Sequence, residues 1–262
     1  MDYENIIYEK RDRAAFIAFN RPKELNALNR KMVDEIGRAL ADAGSDNSVQ
    51  ALVITGRGKA FCAGVDLKFV KEECSSLADT EGLFRFINRT VRDPIEVLPK
   101  PVIAAVNGYA LAGGFEIMLA CDLVIASEKA IIGDQHTNFG LVGPGGGTQR
   151  MPRMIGIRKA KEIIFTGKKL TAAEAERMGL VNRVVKDEEL MNNVDALVSE
   201  LTAKSPTALK IAKSLINQSF EMNPSTAAEL EIMSAIVNAA SEDYAEGMRA
   251  FNEKREPVFK GK

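Results

Sequence analysis

The chain has 262 residues, a net charge of -1, 46% hydrophobic and 27% charged residues, three cysteines and one histidine. That length suits one large domain, or one domain with a small appendage, and that balance suits a globular protein able to bury a core. A single histidine, His136, excludes a multi-histidine zinc site and an HExxH helix. Cys62, Cys74 and Cys121 form no CxxC, which argues against a disulfide framework or zinc ribbon and for a reducing cytoplasm. Mixed charge signs with no basic tract argue against nucleic acid and membrane-surface partners. The start, Met1-Asp2-Tyr3-Glu4, lacks the basic region and apolar core of a signal peptide. The most apolar stretch, Val102 to Ala126, holds Asn107, Glu116, Asp122 and three glycines, a poor membrane span.

In chain order, Asn5 to Glu9 and Ala15 to Phe19 read as two paired strands turning around Lys10 to Arg13. Met32, Val33, Ile36, Leu40 and Ala43 recur at helical spacing, so Arg30 to Ala43 is expected to be an amphipathic helix. Ala51 to Ile54, Val102 to Val106 and Leu123 to Ala126 are short apolar runs that suit buried parallel strands. Gly113 to Ala120 suits a buried helix, and Ala130 to Gly133 a further short strand. Thr171-Ala172-Ala173-Glu174 is a capping box opening a helix that ends near Gly179, with a strand over Leu180 to Val185. From Asp187 the pattern is helical, broken at Ser205-Pro206 and Asn223-Pro224. An α/β class follows, with a soft boundary near residue 200 before a helical tail.

Two glycine-rich segments carry most of the chemistry. In Asn107-Gly108-Tyr109-Ala110-Leu111-Ala112-Gly113-Gly114-Phe115-Glu116, a strand is followed by Gly-Gly at a helix start. Free N–H groups there favour developing negative charge, the physics of an oxyanion hole, and Glu116 in the first turn suits a general acid or base. Tight helix–sheet packing with Glu116 as a cap accounts for the same spacing. No GxGxxG or GxxxxGK[ST] is present. The second segment, Gly143-Pro144-Gly145-Gly146-Gly147-Thr148-Gln149-Arg150, also opens a helix, and ordering so many glycines costs entropy that needs a reason. His136 lies between the two segments, where it suits a hydrogen-bonded structural residue or a base near neutral pH.

Five stretches together resemble the crotonase superfamily, the enoyl-CoA hydratase/isomerase family, over essentially the whole chain. They are Asn20 to Leu28, Gly58 to Leu67, Lys100 to Ala110, Gly146 to Arg150 and Glu246 to Arg255. The resemblance implies an α/β superhelix of repeated ββα units over residues 1–200. It implies a helical C-terminal region, 201–262, that serves trimer or hexamer formation and part of the CoA site. It also implies an acyl-CoA thioester substrate, coenzyme A being part of that substrate, with no cofactor and no metal. Carried over by motif, the backbone N–H groups of Ala63 and Gly113 would hold the thioester oxygen. Arg21, Lys23, Leu25, Ala63, Gly64, Val65, Asp66 and Leu67 would touch CoA, as would Phe251 and Lys254 from a neighbouring C-terminal helix.

The resembled hydratases use two glutamates that share one water. The first matches Glu116; the second lies twenty positions later, where this chain has His136. The ungapped match also puts a water-holding N–H at Pro144, which has none; a shift by one would use Gly143 or Gly145. The resemblance thus implies a hydratase-type lyase acting on a 2-enoyl-CoA, with Glu116 and His136 catalytic and Asp134 able to fix the His136 tautomer. Isomerisation, or hydrolysis of a thioester or carbon–carbon bond, uses the same enolate site. A non-catalytic acyl-CoA-binding protein is a third reading.

Overall fold

The computed structural model describes residues 2–262; Met1 lies outside them. The elements follow in chain order. β1 (Ile6–Arg11) and β2 (Ala14–Phe19) form a hairpin, followed by α1 (Arg30–Ser45), β3 (Ala51–Gly56) and β4 (Ala60–Cys62). Next come α2 (Leu67–Glu73) and α3 (Leu77–Ile87), a π-helical turn at Asn88–Arg92, and α4 (Asp93–Val97). β5 (Val102–Val106), β6 (Tyr109–Leu111), α5 (Gly113–Ala120), β7 (Leu123–Ser127) and β8 (Ile131–Gly133) precede α6 (Gly147–Ile155) and α7 (Ile157–Thr166). β9 (Leu170–Thr171), α8 (Ala172–Met178), β10 (Arg183–Val185) and α9 (Leu190–Thr202) complete the α/β part. α10 (Pro206–Gln218), α11 (Pro224–Ala239) and α12 (Glu242–Glu253) end the chain.

The strands form two sheets, ordered β1-β2-β3-β5-β7-β10 and β4-β6-β8-β9. β3, β5 and β7 are parallel neighbours in the first, and β4, β6 and β8 in the second. Each turn of chain therefore leaves one strand in each sheet before moving on, a ββα superhelix. All five residues of β5 are buried, as expected for a central parallel strand covered on both faces. Alternation along the large sheet separates two cores. Ile17, Leu52, Ile54, Val102, Ala104 and Val106 face α1 and the small sheet. Phe16, Val53, Ile103, Ala105 and Ile125 face Leu190, Val194 and Val198 of α9.

Local signals are realised at several ends. Thr171 and Glu174 make both bonds of the capping box, and α8 stops at Gly179 in the left-handed conformation. Ser205 and Asn223 cap α10 and α11, each with proline in the first turn. The strand expected over Leu180 to Val185 begins only at Arg183, because Leu180 N–H still bonds the Ala175 carbonyl and closes α8. α5 is buried on every side, which fits its uniformly apolar sequence around Glu116.

The helices after α9 sit differently. α11 buries no residue, and Ile232, Met233, Ile236 and Val237 are each more than half exposed. α10 is tied to the core by Lys213, whose Nζ reaches Asp122 Oδ2 (2.7 Å) and the carbonyls of Lys100 (3.1 Å) and Ile95 (3.2 Å). Among the described residues no helix is long and apolar enough to cross a membrane.

Candidate active site

Glu116 is held at the buried start of α5, 5% exposed. Its Oε1 accepts two backbone bonds from the second glycine segment, from Gly145 N–H (2.7 Å) and Gly147 N–H (3.2 Å). A β-carbon at Gly145 would lie 2.6 Å from the Glu116 carboxyl carbon, so only glycine lets this loop lie flat on the carboxylate. The entropy lost in ordering the loop thus has its reason. Oε2 has no bonding partner among the described residues. The Gly145 N–H is spent on Glu116 and is not free to hold water; of the two glycines considered for that part, only Gly143 keeps an unbonded N–H.

His136 stands opposite Glu116. A point beside Gly143, where a β-carbon would be, is 2.6 Å from the His136 ring and 2.9 Å from Glu116 Oε1, so the two groups face each other across that glycine. Asp134, 2% exposed, lies behind the ring. Its Oδ1 accepts from the His136 backbone N–H (3.0 Å) and sits 2.8 Å from Nδ1. This contact puts the Nδ1 proton on the Asp134 side and leaves Nε2 as the acceptor of the neutral ring.

Burial pushes the Glu116 carboxyl above the usual carboxylate range, against the opposing pull of His136 and the two N–H groups. Burial opposes charge on His136, yet the Asp134 bond and the Glu116 and Asp134 charges raise it above the ordinary histidine value. Burial likewise opposes the Asp134 charge, but bonds from His136 hold its carboxyl below the usual range.

The structure corrects one expected donor of the oxyanion hole. Ala63 N–H is not free: it donates to the Leu25 carbonyl (3.0 Å). At the next residue, Gly64, φ is +113°, a conformation open to glycine that re-aims the chain. Leu28 N–H then bonds the Gly64 carbonyl (2.8 Å), and Asp66 N–H bonds the Leu28 carbonyl (2.9 Å). In that parallel bridge the N–H of Val65, between them, points away from Leu28. Val65 N lies 3.5 Å from the position of a β-carbon on Gly113. The facing pair is therefore Val65 and Gly113. Gly113 is aimed there by Ala112, which holds a strained φ of +48° just before α5.

The other expected CoA residues divide. Arg21 is an internal strut, pairing Asp66 (3.1 Å) and bonding the Ala27 carbonyl, so it shapes the 63–67 loop. Asp66 also caps α2. Lys23 and Leu67 are exposed, and Leu25 is 37% exposed. Phe251 is 80% exposed, and no hydrogen bond or ion pair among the described residues joins it or Lys254 to residues 63–67. Asn26, fully buried, bonds Arg21 N–H and the carbonyls of Arg57 and Ala60; it braces this loop and was not singled out from sequence.

Such a carboxylate, beside a histidine and in the turn of helix that starts at the unpaired Gly113 N–H, which the unpaired Val65 N–H faces, suits proton transfer next to a carbonyl that becomes an enolate. Comparison with known proteins agrees with that class. The family model described as enoyl-CoA hydratase/isomerase matches residues 9–262, and the chain belongs to that family. It is 39% identical over 257 residues to a short-chain-enoyl-CoA hydratase of Clostridium acetobutylicum, covering 97% of each chain. It is also 39% identical over 260 residues to a crotonyl-CoA hydratase of Syntrophomonas wolfei, covering 99% of each. The crystal structure of an enoyl-CoA hydratase from Bacillus anthracis superposes with a TM-score of 0.94 at 34% identity, over 99% of this chain and all of that one.

Proposed function

We propose that the protein is an enoyl-CoA hydratase-type lyase, adding water across the double bond of a 2-enoyl-CoA, with dienoyl and cyclic acyl groups in its range. One observation carries the reading: the locked Glu116 carboxylate faces His136–Asp134 beside the Val65 and Gly113 N–H groups. The thioester oxygen sits on those two donors. Water held between Glu116 Oε2 and His136 Nε2 loses a proton as its oxygen bonds to C3. The electron pair of the double bond moves onto the thioester oxygen, and a proton then reaches C2. One fixed donor at that oxygen is worth about 2.7–4 kcal/mol of barrier.

CoA lies along the 63–67 loop braced by Arg21, near Lys23 and Leu25, with Phe251 and Lys254 supplied by a neighbouring subunit. A homotrimer, or a hexamer of two trimers, in the cytoplasm completes the reading; the exposed apolar residues of α11 support such an assembly.

A second reading rests on the Asp134-bound His136 standing where the resembled hydratases keep a glutamate. It assigns double-bond isomerisation, or hydrolysis of a CoA thioester or carbon–carbon bond. The test is a panel of crotonyl-CoA, longer and cyclic enoyl-CoAs with the pure protein, following the conjugated absorbance. Its loss supports hydration. No change across the panel refutes it; release of free CoA thiol, or migration of a double bond, then favours the second reading. Acyl-CoA binding with no turnover of any kind identifies a non-catalytic binding protein.

A further inference from the structure

The two N–H groups that grip Glu116 belong to peptide planes whose carbonyls are held on the opposite side. The chain has no cis peptide bond among its described residues, so in each plane the N–H and the carbonyl point in opposite directions. Gly145 N–H shares its plane with the Pro144 carbonyl, which accepts from Asn88 Nδ2 (3.0 Å). Gly147 N–H shares its plane with the Gly146 carbonyl, which accepts from the N–H groups of Gln149 (3.0 Å) and Arg150 (2.8 Å) in the first turn of α6. Between these two planes, the Gly145 carbonyl accepts from Arg150 Nη1 (3.0 Å).

Arg150 is itself fixed. Its Nη2 pairs with Glu96, its side chain is 13% exposed, and its guanidinium lies directly against Gly146, at φ +97°. Nε is buried with no partner among the described residues, so the guanidinium is held in place although one donor goes unsatisfied. Asn88 opens the π-helical turn and Glu96 lies in α4 just beyond it. π-turns inside helical runs are frequent at functional sites, and this one brings both anchors to the loop from one short segment.

We propose that Asn88 and Arg150, the latter braced by Glu96, are positioning residues for Glu116: Asn88 draws the Pro144 carbonyl outward and so turns the Gly145 N–H onto its carboxylate, and the Arg150 side chain holds the intervening Gly145 carbonyl and so fixes the loop that carries both N–H groups. This deepens, and rests on, the reading of Glu116 as the acid/base of hydration. It also gives a role to two residues of the stretch Phe69 to Val97, the least family-like part of the chain, which by sequence is expected to line the acyl pocket.

The test compares Asn88→Ala, Arg150→Ala and Glu116→Gln in the full-length protein, measuring kcat, KM and the pH–rate profile on a turned-over enoyl-CoA. The expected result is a roughly 10- to 100-fold fall in kcat for both positioning variants, the scale of a sub-ångström to 1 Å misplacement, with KM within about threefold. The acid limb moves to higher pH, because a carboxylate losing N–H bonds is harder to ionise. Added guanidinium ion restores part of the Arg150→Ala rate. Asn88 is only half-buried, so Asn88→Ala carries the test even if Arg150→Ala does not fold. If Glu116→Gln is crippled while Asn88→Ala and every folded Arg150 variant keep the wild-type kcat and acid limb, the positioning role is overturned and the function stands. If Glu116→Gln turns over like the wild type, both fall.

Discussion

Replacing Glu116 by glutamine isolates chemistry from architecture. Both backbone bonds to Glu116 end on one oxygen, from Gly145 (2.7 Å) and Gly147 (3.2 Å). The amide oxygen of glutamine accepts both, so the loop keeps its anchor and only the ionisable position changes. Loss of a positioned general acid/base costs roughly 10²–10⁴-fold in turnover, or about 2.7–5.5 kcal/mol of barrier. KM is expected to change little, because the proposed CoA contacts are on the 63–67 loop and not on this carboxylate. Stability moves the other way. Burial holds the native carboxyl above its unfolded value, so ionising it costs the native state stability as pH rises through that range. Glutamine removes that cost, and thermal unfolding near pH 8 occurs at the wild-type temperature or above it. Without the Glu116 charge, His136 is raised less, so its inflection in the residual rate moves to lower pH. Initial rates on a conjugated enoyl-CoA across pH 5–9, paired with thermal melts, read all three effects. Wild-type turnover would mean that Glu116 only caps α5. A collapsed melting temperature would mean that it holds the loop by its charge.

Three further changes test other parts of the structure. His136→Gln removes an acid-side inflection from the rate profile, and an unchanged profile makes His136 structural. Its native value is raised, so its pairing with Asp134 stabilises the fold below the ordinary histidine range and is lost as pH rises through the raised value; the variant lacks this pH dependence in its melts. Lys213→Met leaves the half-buried Asp122 beside α10 without its cation and destabilises the protein by about 3 kcal/mol, a fall of roughly 6 °C in melting temperature. A melt within a degree of wild type would show that α10 docks without the pair. Gly114→Ala puts a β-carbon 2.6 Å from the Cys62 carbonyl carbon and costs at least about 2 kcal/mol. It also pushes α5 away from Val65, so turnover falls with stability; a variant as stable and active as the wild type would contradict the close packing.

The sequence alone determines the parts that depend on neighbours in the chain. The β1–β2 hairpin, α1, the buried strands β3, β5 and β7, the capping box of α8 and the proline starts of α10 and α11 follow from periodicity and caps within a few residues. So does α5, whose apolar run around Glu116 and leading Gly-Gly mark a buried helix. The three-residue strands β4 and β6 escape notice because so short a run has no period of its own. The α2 to α4 region, with its π-turn, lacks any signal strong enough to place it.

Spatial pairing decided the site. The Glu116 grip joins residues 29 and 31 positions apart, and the Asn88 anchor spans 56. Even the local Asp134–His136 pair gains Glu116 as a neighbour only through the fold, which sets Gly143 between the carboxylate and the ring. The Ala63 donor failed for the same reason. Motif spacing fixes which residues share a loop, but one positive-φ glycine and the bridge to Leu28 decide which N–H is free. A backbone N–H is either spent or available according to what packs beside it, and that is a property of the folded chain.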